Sequence, residues 1–387
     1  MKIGIMTYWW SKDNYGQQLQ CYALQKYLQN LGHDAYLIRY NASFDYSSEK
    51  AEKSNLVWRK IVNAFNPVKI YKYLLKKRRK AQKNQENMKN DIRKFEEFRS
   101  MYLRQSEEIY YHYTELEKRA PEADIYIAGS DQVWNPDYIK SIETQARAFF
   151  LDFGNPLAKR VSYAASFGKE ILEKEFLKKI APFLQKFDYV SVREKSGIDI
   201  CKQCGVSNAE WAPDPTMLLD MNSYRTLYKN EPMQKMEMPY VFLYLLSGSS
   251  NFSLDTIYDW AKRNKLKVVY ISGNSMLDNN KIRKFYATIP EWIYLLEHAE
   301  YVITNSYHCA VFSLLFKKKF GIIPRSGSHR GMNTRFDSLF EYFQMEKRYI
   351  VNFNSDISNS SMDWNLISSI FQKIRNESIL LNLDRIF

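Results

Sequence analysis

The sequence predicts an α/β protein of two Rossmann-like domains facing a cleft, with a helical, basic insertion in the first domain. Three observations lead there. Short β-branched or apolar runs alternate with helical-period segments through both halves, the pattern of a parallel sheet with helical crossovers. Those runs end in polar turns, at Trp10, Ser130, Ser166 and Arg193 in the first half and at Ser306 in the second. At 387 residues the chain exceeds one compact core, which predicts two domains. We place them at 1–215 and 216–387, with the last helix packing back on the first.

The elements follow in order. Lys2 to Thr7 is a first strand, followed by the polar and aromatic loop Tyr8–Gln17. A helix from about Gln17 to Gly32 carries Leu19, Ala23, Leu24, Tyr27, Leu28 and Leu31 at helical spacing, and Gly32 suits its C′ position. Ala35–Arg39 is a second strand. This β-loop-α-β opening lacks GxGxxG, so no dinucleotide is indicated. From about 43 to 113 the sequence changes character, with the run Lys76-Lys77-Arg78-Arg79-Lys80 and scattered apolar positions Ile92, Phe95 and Phe98. It reads as two helices inserted between sheet strands, either a solvated arm or, through residues 50–105, a contact with an anionic membrane surface.

The sheet resumes at Ala123–Ala128 and ends in Gly129-Ser130-Asp131-Gln132-Val133-Trp134-Asn135-Pro136. Strands at Val161–Ala165 and Tyr189–Val192 follow, the latter ending on Arg193-Glu194. Pro213-Asp214-Pro215-Thr216 breaks the pattern and marks the domain junction. The second half supplies strands at Tyr240–Leu246, Val268–Ser272, Tyr301–Thr304 and Lys319–Ile323, with Pro290 opening a helix at its first turn. Two such domains across a cleft form a GT-B-like arrangement.

Composition narrows the classes. A hydrophobic content of 45% with 16% aromatics excludes wholesale disorder. No run reaches the roughly 18 apolar residues of a membrane span. Met1 to Met6 leads directly into a strand, with no h-region, so a cytoplasmic protein is expected, with the basic arm offering peripheral contact at the inner membrane face. Cys21, Cys201, Cys204 and Cys309 make no disulfide framework, and Cys201-Lys-Gln-Cys204 is a lone CxxC on a helix, without a second pair. The net charge of +13 favours anionic ligands, a membrane surface or nucleic acid.

The stretch Tyr301–Phe312 organises the rest. Its strand runs through Asn305, Ser306, Tyr307 and His308 into a helix, which puts the turn at the carboxyl end of a parallel sheet, where such sheets bind ligands. The first N–H groups of the helix offer an anion site. His308 sits there as a residue type suited to proton transfer, or as a simple helix cap.

Five segments in order resemble the polysaccharide pyruvyltransferase family: Asn14-Tyr15-Gly16-Gln17-Gln18-Leu19-Gln20-Cys21-Tyr22-Ala23-Leu24, Gly129–Asn135, Ser191-Val192-Arg193-Glu194-Lys195-Ser196-Gly197, Asp214-Pro215-Thr216-Met217-Leu218-Leu219 and Thr304–His308. The resemblance spans residues 1 to about 340. The chain departs from the family's pattern at Cys309, where glycine is usual, at Ser306-Tyr307, where arginine or phenylalanine is common, and at Lys319, where proline often stands.

The resemblance implies an enzyme with a GT-B fold that takes phosphoenolpyruvate as co-substrate, with no cofactor and no metal. Its product is a pyruvate ketal across two hydroxyls of a sugar in a surface polysaccharide, such as an exopolysaccharide or capsule, or in its lipid-linked precursor. A donor bearing phosphate and carboxylate calls for arginine forks. Arg193 and Arg335 are the expected donor ligands, with Arg325 or Arg330 as further reaches and Asn305 and Ser306 beside them. His308 is the expected general acid or phosphate ligand, and Asp131 or Asp13 would take protons from the sugar. Asn14, Tyr15, Gln132, Trp134 and Asn135 are the expected acceptor contacts. On this reading the partners are phosphoenolpyruvate and a sugar or lipid-linked oligosaccharide, with no nucleic acid. Two other classes remain: a GT-B glycosyltransferase using a nucleotide sugar, and a non-catalytic binder of acidic glycans or nucleic acid.

Overall fold

A computed structural model describes residues 1–41, 92–233, 235–246, 253–272, 284–325, 333–353, 361–378 and 380. The expected basic insertion falls largely on residues 42–91, outside that range, as do residues 247–250 and Arg330.

Two parallel sheets carry the chain. The first contains β1 (Lys2–Met6), β2 (Asp34–Tyr40), β3 (Gln105–Tyr110), β4 (Ile125–Ala128), β5 (Lys159–Ala165), β6 (Tyr189–Val192) and β7 (Glu210–Trp211), in the order β3-β2-β1-β4-β5-β6-β7. The second contains β8 (Tyr240–Leu245), β9 (Lys267–Ser272), β10 (Lys284–Phe285), β11 (Tyr301–Thr304) and β12 (Lys319–Ile322), in the order β10-β9-β8-β11-β12. Both orders reverse beside their first strand, between β1 and β4 and between β8 and β11. That reversal opens the crevice where doubly wound sheets hold ligands. β4 and β8 are buried at every position, and their continuous apolar runs follow from helices covering both faces.

One strand corrects the sequence reading. Residues Gln105–Tyr110 pair with β2 as an edge strand instead of belonging to a helical insertion. Only Ser106 and Tyr110 of β3 are buried, so the strand has no apolar run to announce it. Arg39 secures it, donating from Nε to Ser106 O and from Nη2 to Glu107 O.

Seven helices matter here: α1 (Tyr15–Asn30), α2 (Phe95–Tyr102), α3 (Lys195–Gln203), α4 (Ile289–Glu297), α5 (Tyr307–Leu315), α6 (Thr334–Tyr342) and α7 (Trp364–Asn376). Pro290 does open α4, inside a capping box in which Thr288 accepts from Glu291 N and the Glu291 carboxylate accepts from Thr288 N. Both helices that leave the central strands, α1 from β1 and α5 from β11, begin on capping side chains, Asn14 and Ser306.

The halves share an apolar core. Tyr15 of α1 is fully buried and stacks on Trp292 of α4 at 5.6 Å and 15°, edge-on to Tyr244 of β8. Its hydroxyl donates to Ala287 O at 2.6 Å. Ile367, Phe371 and Ile374 of α7 join the same core, and Tyr27 of α1 donates to Arg375 O. Tyr15 is therefore a pin between the halves, not the acceptor contact expected from sequence. Tyr15→Phe should cost about 1 kcal/mol in urea unfolding, the worth of one buried hydrogen bond, and leave ligand affinity unchanged. A raised KM with unchanged stability would return Tyr15 to the site.

Candidate active site

The centre of the site is Asp214, which in the sequence marks the domain break and opens one of the five family segments. Flanking prolines 213 and 215 hold a short turn, and the Asp214 side chain caps it, accepting from Thr216 N at 3.0 Å and Thr216 Oγ1 at 2.7 Å. Its other oxygen accepts from Ser130 Oγ at the end of β4 and from Arg193 Nη1 at the end of β6, each at 3.0 Å. The same oxygen lies 3.2 Å from Nε2 of His308, on the first turn of α5. That contact is an ion-pair approach without hydrogen-bond angles, and Nε2 has no other bonded partner among the described residues. One carboxylate with no exposed surface thus gathers three strand or helix ends from both sheets. Burial would raise its pKa, but the electrostatic pull of His308 and Arg193 and the hydrogen bond from Thr216 outweigh it, holding it well below the usual carboxylate range.

His308 packs on a glycine of the other half. A Cβ added to Gly16 would lie 2.3 Å from His308 Nδ1, so only glycine lets the first turn of α1 reach the imidazole. Two helix N-termini therefore meet at His308, and both dipoles favour negative charge there.

Arg193 is 2% exposed. Nη1 serves Asp214, and Nε stands 3.7 Å from Glu194. Nε and Nη2 form no hydrogen bond among the described residues. The Tyr307 ring lies under Arg193 at 5.0 Å and under Arg335 of α6 at 5.7 Å, a shared cation–π platform. Arg325, after β12, donates from Nε and Nη2 to Asn305 O, and Asn333 ties its backbone in both directions. Burial first, then the positive charges of Arg193 and Arg325, push Arg335 down to about 10. Arg193 thus stands at the Asp214–His308 contact, Arg335 shares the Tyr307 ring with it, and Arg325 is near enough to act on Arg335; an anion among them would offset their mutual repulsion.

Asp131 is 8% exposed at the end of β4 and accepts from Gln17 Nε2 at 3.2 Å and from Gln132 N at 2.8 Å. Its charge reaches Arg193 and the phenols of Tyr8 and Tyr138. Asp13 is half-buried in the preceding loop and accepts from Ser11 Oγ. Asp131 is the better placed of the two.

Other expected residues hold the frame. Asn14 Oδ1 caps α1, Ser306 Oγ caps α5, and Asn305 clamps β8 through Leu246 N and O. Trp134, expected at the acceptor, is fully buried, stacks on Phe150 and donates to Phe149 O. Asn135 is equally buried, donating to Gln132 Oε1 and accepting from Asp137 N, so Gln132 is also engaged locally. Cys309, the departure from glycine, packs in the apolar core behind the turn.

Asp214, Ser130 and Glu194 were given no role at the site, although each lies in one of the five segments that resemble the family. Glu194 is 2% exposed, accepts from Ser166 Oγ at 2.5 Å and has one oxygen without a partner among the described residues. An aspartate between two prolines and before a threonine was the available signal for Asp214.

The sequence model of the polysaccharide pyruvyl transferase family matches residues 14–327. The chain belongs to that family. The matched span contains Asp131, Arg193, Asp214, His308 and Arg325, while Asp13 and Arg335 lie outside it. A comparison with curated proteins returns no match. Among solved structures, the UDP-GlcNAc 2-epimerase of Methanocaldococcus jannaschii is similar at 10% identity and TM-score 0.46, covering 98% of this chain and 94% of that one. A putative UDP-N-acetylglucosamine 2-epimerase from Listeria monocytogenes is similar at 8% identity and TM-score 0.47, with the same coverage. The UDP-N-acetylglucosamine 2-epimerase of Rickettsia bellii is similar at 12% identity and TM-score 0.43, covering 100% and 98%.

Two predictions follow from the geometry. Asp214→Asn should cost roughly 3–5 kcal/mol at pH 7, the range for breaking a buried ion pair. Because the folded pKa lies below the unfolded value of about 3.9, this contribution is present above that pH and lost as pH falls through the folded value. The wild type should therefore lose its advantage over the variant in acid unfolding below about pH 4. A constant difference down to pH 2 would contradict the charge argument. Gly16→Ala should lower stability by roughly 1–3 kcal/mol through overpacking and weaken anion binding by displacing His308. Unchanged melting and binding would show the contact is slack.

Proposed function

We propose that the protein transfers a pyruvyl group from phosphoenolpyruvate to two hydroxyls of one sugar, forming a cyclic ketal and releasing inorganic phosphate. The observation that supports this reading most is the grouping of Arg193, Arg325 and Arg335 around the N-terminal turn of α5 that carries His308, a set suited to a small donor carrying both phosphate and carboxylate.

In this reaction the enol methylene gains a proton and becomes the ketal's methyl group. The adjoining carbon forms bonds to two sugar oxygens and loses its bond to phosphate oxygen. Of the two protons shed by the hydroxyls, one balances the methyl and the other leaves with phosphate. The arginines stabilise charge on the departing phosphate. His308, held against Asp214, is the proton-carrying group at the donor, and Asp131 takes a proton from the acceptor. Family membership carries the coarser claim of pyruvyl transfer in polysaccharide synthesis. Phosphoenolpyruvate and the ketal are our reading of the site.

No helix among the described residues is long and apolar enough to cross a membrane. Peripheral membrane contact through residues 50–105 is the accompanying proposal; because α2 and Gln105 of β3 belong to the folded domain, the test replaces Lys76, Lys77, Arg78, Arg79 and Lys80 with glutamine, which should abolish liposome association.

The test is phosphate release from phosphoenolpyruvate with pools of free and lipid-linked oligosaccharides as acceptors, with product followed by the NMR signal of the ketal methyl. Release should require acceptor, and His308→Ala should lower kcat roughly 10²–10⁴-fold, while Arg335→Ala should chiefly raise KM for phosphoenolpyruvate. Turnover of a nucleotide sugar to a nucleoside diphosphate, with phosphoenolpyruvate inert, would make the protein a glycosyltransferase instead.

A further inference from the structure

An aromatic face on the first domain packs its inner edge on the core and takes no part in the donor site. Tyr8 and Trp10 leave the end of β1, and Tyr138 comes from the loop after β4. Tyr8 meets Trp10 edge-on at 5.2 Å and 87°, and Tyr138 at 6.4 Å and 82°. Behind them Tyr8 rests on Phe149 at 4.8 Å.

Their neighbours show how differently a packing aromatic is treated in the same loops. Trp9 is buried and donates its indole N–H to Tyr40 O, and Trp134 is fully covered. Tyr138 is 44% exposed and Trp10 is only half-buried.

The position of this face links it to the reaction. The Asp131 carboxylate acts on the phenols of both Tyr8 and Tyr138, and Arg325 and Arg335 act on Tyr138 from the second domain. Burial, then Asp131, raises both phenols, so they stay protonated and can donate. The face therefore lies between the carboxylate of one domain and the guanidinia of the other.

A pyranose has a flat C–H face and a rim of hydroxyls. Rigid aromatic rings with a polar tip match both at little conformational cost. We propose that Tyr8, Trp10 and Tyr138 form the acceptor subsite, taking one pyranose ring on its C–H face with its hydroxyl rim toward Asp131. This rests on the pyruvyl-transfer reading and gives it the substrate-contact residues that buried Trp134 and Tyr15 do not supply.

The test separates acceptor from donor. Saturation-transfer NMR would use the methyl glycosides of galactose, glucose, mannose and N-acetylglucosamine, with uridine monophosphate as a stacking control. Thermal stabilisation by phosphoenolpyruvate would be read in parallel. At least one glycoside should receive saturation in the wild type. Its affinity should fall about tenfold, or 1.4 kcal/mol, in Tyr138→Ala and in Trp10→Ala, while the donor's thermal shift persists in both. Tyr138→Phe, which keeps the ring, should retain most of the glycoside signal, guarding against a folding artefact. Equal saturation in both alanine variants, no saturation from any glycoside, or preferential binding of uridine monophosphate to this face would overturn the proposal. Glycoside binding without any donor stabilisation would preserve the subsite and sink the pyruvyl-transfer reading.

Discussion

The structure depends on one buried carboxylate. Removing Asp214 from water costs several kcal/mol, which only close, well-directed partners can offset. Thr216 and Ser130 supply hydroxyls, Arg193 a guanidinium and His308 an imidazole, from four separate places in the chain. Loss of one partner leaves the charge exposed to a low-dielectric interior. The ends of β4, β6 and α5 are therefore held in one arrangement by a single ion, and the two sheets meet where that ion sits.

This constraint explains why the cationic cluster persists. Arg193, Arg325 and Arg335 repel one another, and burial worsens the cost. Asp214 and Glu194 hold Arg193 from one side, the Tyr307 ring lies beneath both Arg193 and Arg335, and the Asn305 carbonyl holds Arg325. Each arginine is oriented before a ligand arrives. Preorganised donors of this kind lose little freedom on binding and act on charge as it develops. The N-termini of α1 and α5 add their dipoles at the same place, and Gly16 makes that approach sterically feasible.

Much of this was legible in sequence. The alternation of apolar runs and helical periods located most strands, and β11 passing through a polar turn into α5 located His308 on the first turn of that helix. Arg193 was found for the same reason, as a strand-end residue on that rim. What escaped has physical causes. β3 is a half-polar edge strand without the apolar run that marks buried strands. Aromatic residues in a strand-end loop can face inward or outward, and sequence offered nothing to separate Trp134, in the core, from Trp10, on the rim. Asp214 looked like punctuation because its prolines signal a turn. Its function comes from partners at distant positions that only the fold assembles. Asn14, Asn305 and Ser306 stand at the strand and helix ends where the sequence put them, but their side chains are spent on caps and a clamp.

The most direct test of this account is thermal stabilisation by phosphoenolpyruvate, beside inorganic phosphate, UDP-sugars and GDP-sugars, for the wild type and for Arg193→Ala and His308→Ala. A ligand that binds only the folded state raises the melting temperature by mass action. The account predicts a shift with phosphoenolpyruvate larger than with phosphate, none with nucleotide sugars, and a clear loss in both variants. Stabilisation by a nucleotide sugar alone, or a phosphoenolpyruvate shift that survives both substitutions, would contradict it.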